Sequence, residues 1–244
     1  MSEDLIVVML LVIFVIGVGG ILFKLFVLDK IKCRKLFDSL KSQGFCQLDL
    51  KEQDTVNQLN KYKLAKGEKH FTDTFQYIVV REKESSHKRY LCDVYRKTGE
   101  HQGSTHHQYY NIFIETVSLS LDFEIIIRPK LNAMVESMMQ MCPSRSSSDI
   151  TFITEGLEDD FKLRFAVASK SGSKVCLSKK LQDTLLQSRD SFPFNKASGA
   201  ITPVVHISPE GFAIISNRVT QKQDLDSLLY LARTLTEILL KSSF

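Results

Sequence analysis

The feature that most constrains this chain is an apolar run over residues 5–28, LIVVMLLVIFVIGVGGILFKLFVL, in which Lys24 is the one charged residue. A helix of this length would measure about 36 Å. About 20 apolar residues are enough to cross the hydrocarbon core of a bilayer, and soluble helices are seldom apolar on every side over so many turns. The run therefore predicts a single transmembrane helix.

The residues on either side of this run predict its orientation. Residues 1–4 are acidic through Glu3 and Asp4 and contain no basic residue, which is unlike the start of a cleaved signal peptide. Residues 24–41, in contrast, contain six basic residues and two acidic ones. Because basic flanks stay in the cytoplasm, we expect residues 1–4 outside the cell inner membrane and the domain after the helix in the cytoplasm.

Residues 29–69 are predicted to form a basic juxtamembrane helix and a linker. The helix covers residues 29–42 and ends before Gly44, which is suited to a helix C-terminus. A basic side chain near an anionic leaflet contributes about 1 kcal/mol of binding, although the same charges could serve only to set topology. We expect membrane lipids to be partners through the anchor and through this membrane-surface set: Lys24, Lys30, Lys32, Arg34 and Lys35.

Composition excludes several classes of function. The net charge of +4 comes mainly from residues 24–41, so the remainder is close to neutral and lacks the basic field of a nucleic-acid-binding protein. Five scattered cysteines without a C-x-x-C pair predict neither a disulfide framework nor a zinc ribbon, and free thiols fit a reducing cytoplasm. No short catalytic or phosphate-binding motif is present, so we expect no cofactor and no enzyme of a class that such motifs reveal.

The chain from residue 70 onward has the pattern of an α+β domain. Alternating apolar positions predict strands over residues 70–80, 88–96, 108–117 and 121–128, which would form an antiparallel meander. With a helix at residues 130–141, they make a β-rich segment over 70–143, and the serine-rich run 144–148 reads as a linker.

A second segment, residues 149–244, is predicted to have the order β-α-β-β-α. Its strands are expected at 161–168, 202–207 and 212–216 and its helices at 177–187 and 224–241, and residues 149–153 are a further short strand candidate before them. Ser208, Pro209, Glu210 and Gly211 provide the residues of a tight turn between the last two strands. The expected fold is α+β: an N-terminal transmembrane helix, then an antiparallel sheet with helices packed on one face.

One stretch resembles an uncharacterised bacterial family of single-pass, membrane-anchored proteins of unknown function. The residues that carry the resemblance are Glu158, Asp159, Asp160, Phe161, Phe165 and Val167, followed by an amphipathic helix over 177–186. The resemblance covers about residues 70–220. It implies membrane attachment and a core position for the two phenylalanines and the valine, and it implies no known chemistry.

Two sets of residues are weak candidates for chemistry. His101, His106 and His107 lie within seven residues and could ligate a metal ion, although their place at a predicted hairpin tip favours a solvated loop. Two cysteines, Cys92 and Cys176, are candidate nucleophiles. Either could act as one if His206 lay close enough to that cysteine to serve as the base.

The last predicted helix offers a surface for self-association. Leucines and one alanine recur at three- and four-residue spacing over two heptads: Leu225, Leu228, Ala232, Leu235 and Leu239. This seam is typical of packing on a sheet, and it also allows a homodimer. We therefore expect a membrane-tethered interaction or scaffolding domain with an unidentified protein partner. A lipid- or ligand-binding domain and an enzyme without a short motif are the alternatives.

Overall fold

A computed structural model of the chain describes residues 3–23, 27–62, 71–84, 87–98, 107–130, 150–170, 176–191 and 203–241. Its centre is a nine-stranded antiparallel sheet in the order β1-β2-β3-β4-β9-β8-β5-β7-β6. The strands are β1 Cys46–Gln47, β2 Phe71–Glu84, β3 His87–Thr98, β4 His107–Thr116, β5 Ile125–Pro129, β6 Ile150–Ile153, β7 Phe165–Lys170, β8 Val204–Ser208 and β9 Gly211–Asn217.

The expected α+β class with an antiparallel sheet is confirmed. A single sheet contains strands from both of the predicted segments. Strand β4 pairs with β9, and β5 pairs with both β7 and β8. Strands from the segments 70–143 and 149–244 therefore share one sheet. The predicted helix at 130–141 and the linker 144–148 lie outside the described residues.

The helices are α1 Glu3–Phe23, α2 Asp29–Ser39, α3 Gln53–Leu59, α4 Asp159–Arg164, α5 Lys179–Ser191 and α6 Lys222–Lys241. Short 3-10 segments follow α2 and α3 at Leu40–Gln43 and Asn60–Tyr62. Gly44 has a positive φ of 84° after the first of these, as expected for the residue that ends a helix.

The transmembrane helix predicted over residues 5–28 is contradicted. Among the residues that the structure describes, no helix is both long enough and apolar enough to cross a bilayer. The predicted single-pass location in the inner membrane, with residues 1–4 outside, depended on this helix and is therefore contradicted as well.

Helices cover both faces of the sheet, so the expectation of helices on one face is wrong. Helices α2, α4, α5 and α6 share a core with Val79, Leu91 and Phe113. Helix α3 and the 3-10 segment after it place Leu59 and Tyr62 on the opposite face. Side chains alternate between the faces along each strand, so the central strands carry apolar side chains on both faces.

The strand predicted over residues 161–168 is a helix in its first half. Helix α4 occupies Asp159–Arg164, and β7 begins at Phe165. Asp159 and Asp160 lie in the first turn of α4, where acidic side chains interact favourably with the helix dipole. Phe161 and Phe165 fit a four-residue period as well as alternation, and their rings stack with centroids 4.8 Å apart. This spacing fits both a strand and a helix, but Leu163 between the two phenylalanines is 75% exposed, whereas a strand would place it on the same face as both rings.

Candidate functional site

The three candidate metal-ligating histidines are only partly described. His101 and His106 lie outside the described residues. His107 begins β4, where its Nδ1 atom lies 2.5 Å from the hydroxyl of Tyr95 and its ring stacks on the tyrosine ring. Within the described ranges, no group of three histidine, cysteine or acidic residues is placed to hold a metal ion.

The membrane-surface set lies on α2, except Lys24, which is outside the described residues. Lys30, Lys32, Arg34 and Lys35 are exposed. The guanidinium of Arg34 lies 4.9 Å from the ring centroid of Tyr77, which adds a cation–π contact to the sheet. Binding of lipid by these side chains stays a prediction.

The structure does not place Cys92 next to His206, the residue predicted to act as its base. Cys92 is on β3 and His206 is on β8, with β4 and β9 between them. Three strand spacings separate them by about 14 Å. The imidazole of His206 instead lies 3.3 Å from a carboxylate oxygen of Glu124, and Cys176 is exposed on a different part of the molecule.

A buried polar row on the α2 face was missed by sequence reasoning. Asp93 on β3, Asn111 on β4 and Ser216 on β9 are direct neighbours across the sheet, and all three are buried. Asn111 donates through Nδ2 to Asp93 and to the carbonyl of Cys92, and its Oδ1 accepts from the backbone N–H of Val219 at 2.5 Å. An aspartate inside an apolar strand was the sequence signal that could have revealed this row.

Asp93 forms the charged end of this row. Its Oδ2 accepts a hydrogen bond of 2.5 Å from Nη2 of Arg218, which follows β9. The guanidinium of Arg218 also lies 4.1 Å from the ring centroid of Tyr109. Burial raises the pKa of Asp93, although Arg218 and Asn111 oppose the shift. The row joins β3 and β4 to the segment that leads into α6.

Cys33 of α2 contacts the same row but is not an activated nucleophile. Its Sγ lies 3.8 Å from Nδ2 of Asn111. Burial, helped by the charge of Asp93, raises the pKa of the Cys33 thiol to about 12. A reactive cysteine requires a lowered pKa because the thiolate is the nucleophile. Cys33 therefore anchors α2 on the sheet through packing and polar contact.

A second buried network is centred on Glu115 of β4. One carboxylate oxygen accepts from Nη2 of Arg89 at 2.8 Å and lies 2.5 Å from Nε2 of His87. The other oxygen accepts from the hydroxyl of Thr236 at 2.9 Å. The Glu115 side chain has no exposed surface. The network ties α6 to β3 and β4, and both carboxylate oxygens are occupied.

The groove between α5 and α6 is the candidate binding site. It has a volume of about 630 Å³, which is within the range of about 300–1,000 Å³ for ligand sites. Helix α5 contributes one wall and α6 the other. The lining residues are Thr184, Gln187, Ser188, Lys222, Gln223, Asp226, Ser227, Tyr230 and Thr234.

The packing of α6 on the sheet explains which of its side chains line the groove. Helix α6 buries its leucine seam against the sheet, with Leu225, Leu228 and Leu235 each at most 2% exposed. The leucine seam that was predicted to permit a homodimer thus packs against the sheet of the same chain. A homodimer through this helix stays a prediction. The adjacent side of α6 carries the groove residues, and Tyr230 is 70% exposed there.

The hydroxyl groups in the groove are oriented by the helices. Thr184, Ser227 and Thr234 each donate to the backbone carbonyl four residues earlier. Their protons are therefore engaged, and the lone pairs of their oxygens are left as acceptors. Together with the carboxylate of Asp226, they place acceptor oxygens along both walls of the groove.

The described spaces between the sheet and its covering helices are small. A cavity lined by Cys33, Tyr77 and Asp93 and another lined by Arg89 and Phe113 each measure about 10 Å³. Such a volume accommodates about one water molecule. The groove therefore offers far more room for a ligand than these two internal spaces.

Comparison of the chain with protein-family models, with curated proteins and with solved structures finds no match. The resemblance to an uncharacterised bacterial family over about residues 70–220 therefore stays a prediction.

Proposed function

We propose that this chain is an interaction module that binds an extended segment of a partner protein in the α5–α6 groove. The observation that carries the proposal is the groove itself, a trough of about 630 Å³ with hydrogen-bonding walls and an exposed aromatic ring. An interaction module agrees with the neutral domain and the lack of catalytic motifs in the sequence.

The length of the groove fits a short extended segment. Its residues on α6 run from Lys222 to Thr234, a distance of about 18 Å along the helix axis. An extended chain advances about 3.3 Å per residue, so about five residues of the partner would lie along the groove.

The chemistry of the walls favours a polypeptide backbone as the bound group. An extended segment has unpaired N–H groups, and the oxygens of Thr184, Ser227 and Thr234 are available as acceptors for them. The ring of Tyr230 provides a rigid apolar surface for an aliphatic or proline side chain. Tyrosine is enriched among residues that dominate binding energy because it combines area with few rotatable bonds.

The first test is site-specific photo-crosslinking in cells with the full-length chain. A photoreactive phenylalanine analogue replaces Tyr230 in one variant and Leu163 in a control. Leu163 lies on α4 and is 75% exposed, so it matches Tyr230 in accessibility but lies outside the groove. We expect a discrete adduct at position 230 that is absent at position 163, with the crosslinked partner segment identified by mass spectrometry.

The second test measures affinity for that segment as a synthetic peptide. We expect Tyr230→Ala to raise the Kd by about tenfold, which corresponds to about 1.4 kcal/mol. Leu163→Ala should leave the Kd unchanged. Equal affinity of the wild type and the Tyr230→Ala variant, or identical adducts at both positions, would overturn the proposed groove.

A further inference from the structure

Three arginines converge on one small cavity beside α6. Arg81 on β2 and Arg89 on β3 are direct cross-strand partners, and Arg89 is the partner of Glu115 on β4. Helix α6 contributes Arg233 to the lining of the same cavity. Residues directly opposite on neighbouring strands point to the same face. The fold therefore brings three guanidinium groups from three elements to the same place.

Among the described residues, one acidic side chain pairs with this arginine cluster. Glu115 is the acidic partner of Arg89, and its two oxygens are already occupied by Arg89, His87 and Thr236. Among the described residues, neither Arg81 nor Arg233 forms an ion pair. Like charges directly opposite each other in a sheet are destabilising, and Glu115 pairs with Arg89 alone of the two, so an anion bound beside Arg81 would offset the remaining repulsion.

Arg89 also has an unused donor inside the protein. Its side chain is 12% exposed, and its Nε atom is buried with no hydrogen-bond partner among the described residues. A buried donor without a partner costs about 1–3 kcal/mol. An acceptor oxygen placed in this cavity would remove that cost.

The size of the cavity limits how an anion can bind. Its volume of about 10 Å³ accommodates one oxygen atom. Phe45, Phe113 and Leu229 form part of its lining, and an apolar lining strengthens a charge-assisted hydrogen bond. The remaining oxygens of a larger anion would lie at the mouth, where Arg233 is exposed and free to adjust.

We propose that Arg81, Arg89 and Arg233 form a binding site for a phosphate dianion, either inorganic phosphate or the phosphoryl group of a small monoester. Three guanidinium groups and one carboxylate leave two positive charges, which match a phosphate group of about −2 at neutral pH. Arginine provides planar paired donors that suit phosphate oxygens. This site is on the β2–β3 side of α6 and involves none of the groove residues.

The test is isothermal titration calorimetry of the full-length protein with inorganic phosphate and with glycerol 3-phosphate at pH 7.5. Sodium chloride keeps the ionic strength constant because salt screens such contacts. We expect binding that Arg233→Gln weakens by about tenfold. Lys180→Gln, which removes the same charge from an exposed position on α5, should leave binding unchanged.

The two ligands distinguish the source of the phosphoryl group. Tighter binding of glycerol 3-phosphate supports a phosphorylated small molecule, and equal or weaker binding relative to inorganic phosphate supports the free ion. A second variant separates binding from folding. Without phosphate, Arg81→Gln should unfold at the same or a higher temperature than wild type, because it removes like-charge repulsion, and phosphate should no longer stabilise it.

Two results would overturn the proposal. One is that neither ligand binds above the chloride control. The other is that Arg233→Gln and Arg81→Gln bind phosphate as the wild type does. Neither result bears on the groove, because its tests use a peptide and different residues.

Discussion

Replacing Asn111 by alanine should destabilise the protein more than its size suggests. Asn111 is fully buried and joins three parts of the fold. Its amide donates to the carbonyl of Cys92 at 3.1 Å and to Oδ1 of Asp93 at 3.3 Å, and its oxygen accepts from the N–H of Val219 at 2.5 Å. Alanine removes all three hydrogen bonds at once.

The magnitude follows from these contacts. Each hydrogen bond contributes about 1 kcal/mol, and a buried group left without a partner costs more, so the free energy of unfolding should fall by about 3–4 kcal/mol. For a chain of this size, 1 kcal/mol lowers Tm by about 2–4 °C. We therefore expect a decrease of about 10 °C.

The assay is urea unfolding followed by circular dichroism, with a thermal scan as a second measurement. Asn57→Ala is the matched control because Asn57 is exposed on α3, and surface substitutions usually change stability by less than about 0.5 kcal/mol. If Asn111→Ala lowers the free energy of unfolding by less than about 1 kcal/mol, the buried row does not hold the sheet to α2 and α6 as argued.

Three further predictions concern backbone strain, pH and thiol reactivity. Gly211→Ala should lose about 3 kcal/mol or more, since φ is 136° and a Cβ there would lie 2.0 Å from a main-chain oxygen of β4. Tyr77→Phe should cost about 1 kcal/mol at pH 7, discounted because Asp38 is 40% exposed. Because Tyr77 holds the pKa of Asp38 below its usual range, this difference is full above about pH 4 and shrinks as the pH falls further. Cys33 should be alkylated at pH 8 on the order of a thousandfold more slowly than an exposed cysteine, because burial raises the pKa of its thiol to about 12.

Each of these predictions has a control in the same chain. Gly44→Ala should cost only about 1–2 kcal/mol, because its nearest contact would be an ordinary 3.6 Å; an equal loss in both variants would refute the clash. Tyr230→Phe should not alter stability, and a pH-independent effect of Tyr77→Phe would contradict the link to Asp38. Cys46 is exposed, and site-resolved mass spectrometry showing Cys33 alkylated as fast as Cys46 would refute its burial.

Local sequence patterns were sufficient for most of the strands and turns. Alternation over 88–96 and 108–117 correctly predicted β3 and β4 as an antiparallel pair. The turn at 208–211 joins β8 to β9, and Gly44 ends its helical segment. These features depend on side-chain period and on backbone preference within a few residues, so a linear sequence contains them.

Long-range packing decided the features that local patterns leave open. The pattern at 161–168 is compatible with both a helix turn and a strand, and in the folded chain Phe161 is buried while Leu163 is 75% exposed, as a helix allows and a strand does not. Helix α3 lies on the second face because Leu59 packs against the side of the sheet away from α6. Neither choice is visible in any short window of residues.

The sequence by itself determined the α+β class, the positions of most strands along the chain and the apolar seam of α6. Only the tertiary structure set the order of the strands across the sheet and the placement of helices on both of its faces. It also brought Arg233 to Arg81 and Arg89, and placed Tyr230 in a groove with α5. The physical reason is that periodicity is a local property, whereas a site forms where residues distant in sequence are buried together.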